Sequence, residues 1–180
     1  MPLVTTEMNI SKTLKDAGLI PNIIDEGFTP STLLLIKYGD KDVEMGNHIT
    51  PQEGVQPPQV QFIPAEEDAE YTLFLVDPDA PSREDPKNGP FRHWVVTNIP
   101  GSSQEQIHTA TSLQTTAYMG PKPPEGTGNH RYIFLLYKQK DKNREFQALS
   151  NNVRKTFDFK QYAKDNDLEL VGVNFFYSST

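Results

Sequence analysis

Proline placement constrains this chain more than any other feature. The 180 residues include 15 prolines, concentrated in 51–64, 78–100 and 121–124. Proline lacks an amide hydrogen and has a fixed φ, so it breaks helix interiors and central strands. Between and around those clusters lie short apolar runs: Thr32–Tyr38, Val60–Phe62, Tyr71–Val76, His93–Ile99, Arg131–Tyr137 and Leu170–Tyr177. Runs of this length, bounded by turn residues, predict strands. In Tyr71–Val76 the residues Tyr71, Leu73 and Leu75 point one way, and Thr72, Phe74 and Val76 the other. Both sets are largely apolar, which predicts a central strand covered on both faces. The runs 93–99 and 131–137 read the same way.

Helices are expected at three places. Over 7–19, Ile10, Leu14 and Ala17 share a face and Gly18 stands before Pro21. Lys142–Asn151 and Phe159–Asn166 have helical patterning, the second with Asp158 as its N-cap. No repeat or compositional break divides the chain. One domain over 1–180 is expected: mainly β with peripheral α-helices, arranged as an antiparallel β-sandwich.

Composition removes several functions. Seventeen basic against 24 acidic side chains give a net charge of −7. A general nucleic-acid binder needs a basic surface, so none is expected. There is no cysteine, which excludes a cystine framework, a thiolate metal site and thiol catalysis. The longest apolar runs, Leu33–Ile36 and Tyr132–Tyr137, fall far short of a span of about 20 residues. Met1–Asn9 has no positive region leading into an apolar stretch, so no secretion signal is read and a cytoplasmic monomer is expected.

The residues with chemical potential sit at the ends of the apolar runs. Asp77-Pro78-Asp79-Ala80-Pro81-Ser82-Arg83 follows one, His93 opens another, and Gly126-Thr127-Gly128-Asn129-His130-Arg131-Tyr132 leads into a third. Asp77 continues the face of Tyr71, Leu73 and Leu75, where a carboxylate is costly unless it is paired. An ordinary Asp-Pro turn would cap itself and pair with Arg83 or Arg131. By alternation His93 shares a face with Val95 and Thr97, and His130 shares one with Tyr132 and Phe134. If the three strand ends form one rim, Asp77 can accept a hydrogen bond from one imidazole and favour its protonated form. The remaining ring nitrogens would then offer donors to a small anion, and the carboxylate could meet an ammonium group. A zwitterion or phosphomonoester suits that mixture.

Catalytic alternatives fare badly. Gly126-x-Gly128 lacks the third glycine and the helix of a dinucleotide loop. No nucleophile elbow and no His-Glu-x-x-His helix is present. Asp77-Pro78-Asp79 lacks the spacing and glycine of a calcium loop. No metal, no cofactor and no enzymatic activity is expected.

Two of these segments carry a resemblance. Asp77-Pro78-Asp79-Ala80-Pro81-Ser82-Arg83, then His93, then Gly120-Pro121-x-Pro123-Pro124-x-Gly126-Thr127-Gly128-x-His130-Arg131-Tyr132 resemble the two hallmark regions of the phosphatidylethanolamine-binding protein family, also called the Raf kinase inhibitor protein family. Tyr118-Met119-Gly120-Pro121 and the ending Asn174-Phe175-Phe176-Tyr177 resemble its fungal branch, which includes an inhibitor of the serine carboxypeptidase Y. Trp94–Pro100 and Thr156–Ala163 are similar to the plant flowering regulators.

The resemblance implies a β-sandwich of that family's type, with a small anion pocket for phosphate or phosphoethanolamine-type head groups. Asp77, Pro81, His93, Gly120, Pro123, His130 and Tyr132 would line it, with Ala80 and Phe91 beside it. Asp79 and Arg131 would be structural. The resemblance also implies cis peptides at Ala80–Pro81 and Gly89–Pro90. As partners it implies a serine carboxypeptidase or a signalling protein. Arg92 stands where animal members carry a second histidine, and no equivalent of their C-terminal helix is visible.

Overall fold

The computed structural model describes residues 3–104 and 114–180, with backbone alone for 3–8. The elements run α1 (Leu3–Asp16), β1 (Leu34–Tyr38), β2 (Lys41–Asp42), β3 (Asn47–His48), β4 (Gln59–Phe62), β5 (Glu70–Asp77), β6 (Phe91–Pro100), β7 (Gln114–Thr116), β8 (His130–Gln139), α2 (Phe159–Asp165) and β9 (Leu168–Ser178). They form a three-stranded sheet, β2-β1-β4, and a six-stranded sheet, β3-β9-β8-β5-β6-β7.

The fold is mainly β with few helices. The expectation of a purely antiparallel arrangement needs correction: β3 runs parallel to β9, through Asn47↔Phe176 and His48↔Tyr177. The chain leaves the small sheet after β2 and joins the large sheet's edge in the same direction as β9.

The alternation read along β5 separates two cores. Tyr71, Leu73 and Leu75 join Leu34, Ile36, Val60 and Phe62 between the two sheets. Phe74 and Val76 face the other way, onto Leu14, Leu19 and Ile24 beside α1 and onto Phe157, Phe159 and Ala163 beside α2. Burying each such side chain contributes roughly 1.5–3 kcal/mol. With both faces covered, β5, β6 and β8 are rigid platforms whose ends are fixed in space. Among the described residues no helix is long and apolar enough to cross a membrane.

Two helices depart from expectation. α1 ends at Asp16, ahead of the expected end at 19. Gly18 adopts a φ of 71° and the Leu19 amide donates to the Leu14 carbonyl at 2.9 Å, which closes the last turn. Lys142–Asn151 forms no helix. Its polar groups have outside partners: the Asn143 amide donates to Glu70 Oε2 at 2.9 Å, and the Arg144 carbonyl accepts from Asn98 Nδ2 at 3.0 Å. The Arg144 guanidinium reaches Asn166 and the Asp165 carbonyl. Partners of this kind replace the internal bonds a helix would make. α2 is present, and Asp158 caps it by accepting from the Gln161 amide at 3.0 Å.

Candidate functional site

A central antiparallel strand has its C-terminal end beside the N-terminal ends of both neighbours. β5 pairs with β6 and β8 in this way, through Asp77↔Phe91 on one side and Val76↔Ile133 on the other. This topology gathers Asp77, His93 and His130 at one rim.

His93 reaches the rim by a route the alternation missed. Leu75 pairs with Trp94 but Val76 pairs with Arg92, so the register slips by one residue at His93. The bulge turns the imidazole away from the face of Val95 and onto Tyr132, in an edge contact with ring centroids 5.2 Å apart. Such a bulge re-aims a side chain while the ladder continues. Arg92 then points to the opposite face, over the Phe157 ring at 5.1 Å, and donates to Thr116 Oγ1 at 2.8 Å.

Asp77 is 3% exposed, so its carboxylate needs partners. Oδ1 accepts from the Asp79 amide at 2.7 Å, and Oδ2 accepts from His130 Nδ1 at 2.8 Å. His130 Nε2 lies 2.8 Å from Thr127 Oγ1, whose own proton goes to the Pro124 carbonyl at 2.6 Å. A hydroxyl has one proton to give, so Thr127 gives it to Pro124 and meets the His130 ring with a lone pair. Gly126-Thr127-Gly128 is thus the loop that orients His130.

Asp79 and Arg131 form a separate buried pair. Arg131 donates to Asp79 Oδ1 from Nη2 at 2.7 Å and to Oδ2 from Nε at 2.9 Å. Its Nη1 reaches the Ala17 carbonyl at 3.0 Å, at the end of α1. That pair stitches the Asp77–Asp79 turn to the first helix.

These groups surround a cavity of about 170 Å³. Asp77, Ala80, Pro81, Phe91, His93, His130 and Tyr132 all line it. Gly120 and Pro123, expected in the lining, are not part of it; Asn88, Met119, Lys122 and Pro124 complete it. Gly120 serves the wall from behind. A Cβ there would collide with the Gly54 carbonyl, which also accepts from the Tyr118 hydroxyl at 2.7 Å. Pro123 is buried away from the cavity while Lys122 is exposed at its mouth. Sequence placed the wall in the right segment, but nothing in a Pro-rich run marks which residues face inward. Ala80–Pro81, Gly89–Pro90 and Ile20–Pro21 are cis.

At His93 the electrostatics differ from the expectation that the remaining ring nitrogens offer donors. Burial pushes the pKa of His93 down to about 4, outweighing the Met119 carbonyl and Asp77, which favour the charged form. Its Nδ1–H donates to the Met119 carbonyl at 2.8 Å, so near neutral pH Nε2 is left with a bare lone pair. Burial and the Asp77 carboxylate both hold the Tyr132 phenol protonated. Among the described residues no cluster of three or more potential ligands could hold a metal ion.

Comparison with known proteins bears on this site. The family model described as phosphatidylethanolamine-binding protein matches residues 39–176. The carboxypeptidase Y inhibitor of Saccharomyces cerevisiae is 31% identical, over 92% of this chain and 93% of its own length. TERMINAL FLOWER 1 of Arabidopsis thaliana is 30% identical, over 90% and 87%. A carboxypeptidase Y inhibitor solved in complex with its cognate proteinase superposes with a TM-score of 0.82 at 30% identity, over 97% of this chain and 96% of that one. A phosphatidylethanolamine-binding protein from Plasmodium vivax gives 0.81 at 26% identity, over 93% and 95%. The chain belongs to the phosphatidylethanolamine-binding protein family.

Proposed function

We propose that this protein is a non-enzymatic binding and regulatory protein whose Asp77–His93–His130 cavity takes a phosphate-bearing head group such as phosphoethanolamine. The observation that carries the reading is a buried carboxylate and two imidazoles converging on one cavity of about 170 Å³. That volume equals only a few water molecules at about 30 Å³ each, which suits a head group and leaves no room for acyl chains. Lys122 at the mouth supplies a cation, and Asp77 suits an ammonium group.

The lone pair on His93 sets the pH dependence. A phosphomonoester loses its second proton at a pKa of about 6. Below that, the monoanion's hydroxyl can donate to His93 Nε2. Above it, a dianion has no proton to give His93 Nε2 and meets a lone pair there, beside the buried Asp77 carboxylate. Binding of O-phosphoethanolamine should therefore be tighter at pH 5 than at pH 8. The check is an NMR titration following the His93 and His130 rings and the amides of 118–132. Saturable shifts, weakened about tenfold or more by His93→Ala, are expected. Equal affinity for parent and variant, or no shift at millimolar ligand, would overturn the head-group reading.

A second reading has its own support. The likeness to the carboxypeptidase Y inhibitor covers nearly the whole of both chains. On that reading the protein inhibits a serine carboxypeptidase. Incubation with carboxypeptidase Y and a chromogenic peptide substrate tests it, the expected result being stoichiometric loss of peptidase activity. Full activity at a tenfold molar excess of this protein would sink it.

A further inference from the structure

The outer face of the large sheet holds a second cavity, of about 340 Å³. It lies seven residues further along β8 than His130, roughly 20–25 Å away at the rise of a strand, and on the opposite face. Small-molecule sites span about 300–1,000 Å³. Leu135 and Tyr137 of β8 form the floor, Phe159 and Ala163 of α2 one wall, and Ile24 and Leu170 further sides.

Three polar features mark it as more than a packing gap. Tyr137 is only 5% exposed, yet its hydroxyl has no hydrogen-bond partner among the described residues. Burial, and after it the Asp25 carboxylate, holds that phenol protonated, and its hydroxyl, open to solvent, is a donor that no described residue answers. Lys160 is tied to Asp25 at 2.7 Å, an exposed pair with no net charge of its own. Lys164 follows four residues later on the same face of α2, lines the cavity, and has no carboxylate partner among the described residues. The result is an apolar trough that carries one excess cation and one unanswered donor, on a chain whose net charge is −7.

We infer that this cavity binds an amphipathic monoanion, an aliphatic carboxylate. Its chain lies against Leu135, Phe159 and Leu170, and its carboxylate accepts from the Tyr137 hydroxyl and the Lys164 ammonium. The excess of cations over carboxylates in the lining disfavours a cationic ligand, and the apolar floor disfavours a bare inorganic anion. The site owes nothing to Asp77, His93 or His130.

Octanoate titrated into the isotope-labelled full-length chain tests the inference, with octan-1-ol as the uncharged ligand of equal chain length. Saturable shifts are expected at 23–25, 135–137 and 159–170, with the amides of Asp77, His93 and His130 unmoved. Octan-1-ol should bind about tenfold more weakly, since it forfeits the charge-assisted bond. Lys164→Glu should cost at least as much. Tyr137→Phe keeps the ring packed on Phe74, 4.9 Å away, and removes only the donor, so it should fold and bind octanoate several-fold more weakly. The inference is overturned by any of three results: no saturable shift at millimolar octanoate, shifts centred on His93, or equal affinity for octanoate and octan-1-ol with Lys164→Glu without effect.

Discussion

Two buried guanidinium groups stand behind His93, and among the described residues neither has a carboxylate partner. Arg154 is the nearer in function. Its Nη1 donates to the carbonyls of His93 at 3.1 Å and Arg92 at 3.3 Å, and its Nη2 to the Ala117 carbonyl at 2.9 Å. It therefore clamps the bulge of β6 to the segment that supplies Met119. Its charge also acts on the ring: with His130 it opposes protonation of His93, adding to burial, while Asp77 pulls the other way. Tyr132, from β8, faces the same imidazole and stays neutral. Replacing Arg154→Met removes the charge and leaves four carbonyls, those of Arg92, His93, Ala117 and Asn151, short of a donor. The His93 midpoint should rise from about 4, and stability should fall by about 1–3 kcal/mol. Arg154→Lys restores the charge without the fork, so it should return the midpoint toward the parent value. Ring proton shifts of His93 against pH measure this. An unmoved midpoint in Arg154→Met would show that burial alone sets it.

At the scale of elements, the sequence made the platform legible and left its fine aim obscure. The six strand runs were readable because alternation and proline boundaries are local properties. Their strand-end positions suggested one rim for Asp77, His93 and His130 without fixing it, and the family motifs pointed to the same rim. What stayed hidden depends on partners far away in the chain. The slip at His93 is visible only once Leu75 finds Trp94 and Val76 finds Arg92. Lys142–Asn151 has helical composition, yet Glu70 and Asn98, more than forty residues earlier, claim its backbone groups. The cavity wall tells the same story. Tyr38 and Tyr118 share a hydroxyl contact at 2.8 Å, and Tyr118 passes its proton to the Gly54 carbonyl. That chain of three residues ties the turn at 50–55 to the segment that supplies the cavity wall. A linear reading finds the pieces and cannot find the interlock.

For the whole molecule, His93 ties the fold to pH. Its native pKa of about 4 lies below the unperturbed value of 6.5. Between those values the unfolded chain binds more protons than the native state, so stability rises with pH across that window. The contribution is intact above about pH 6.5 and is lost progressively as pH falls to about 4. Each pH unit of that window is worth about 1.4 kcal/mol, so the loss is about 3 kcal/mol. That is a large fraction of the roughly 5–15 kcal/mol typical of a native protein. His93→Gln isolates this effect, because glutamine can still donate to the Met119 carbonyl but does not titrate. Urea unfolding of both proteins at pH 7 and pH 4 should show the parent losing about 3 kcal/mol more than the variant. A difference that stays constant with pH would mean that His93 is not held neutral. The same proton governs the proposed ligand: a phosphate that brings one to His93 Nε2, or stabilises one there, relieves the penalty that acid imposes on the empty cavity. O-phosphoethanolamine should therefore shrink the acid loss of the parent while leaving His93→Gln unchanged, which couples the stability and binding measurements through a single ring nitrogen.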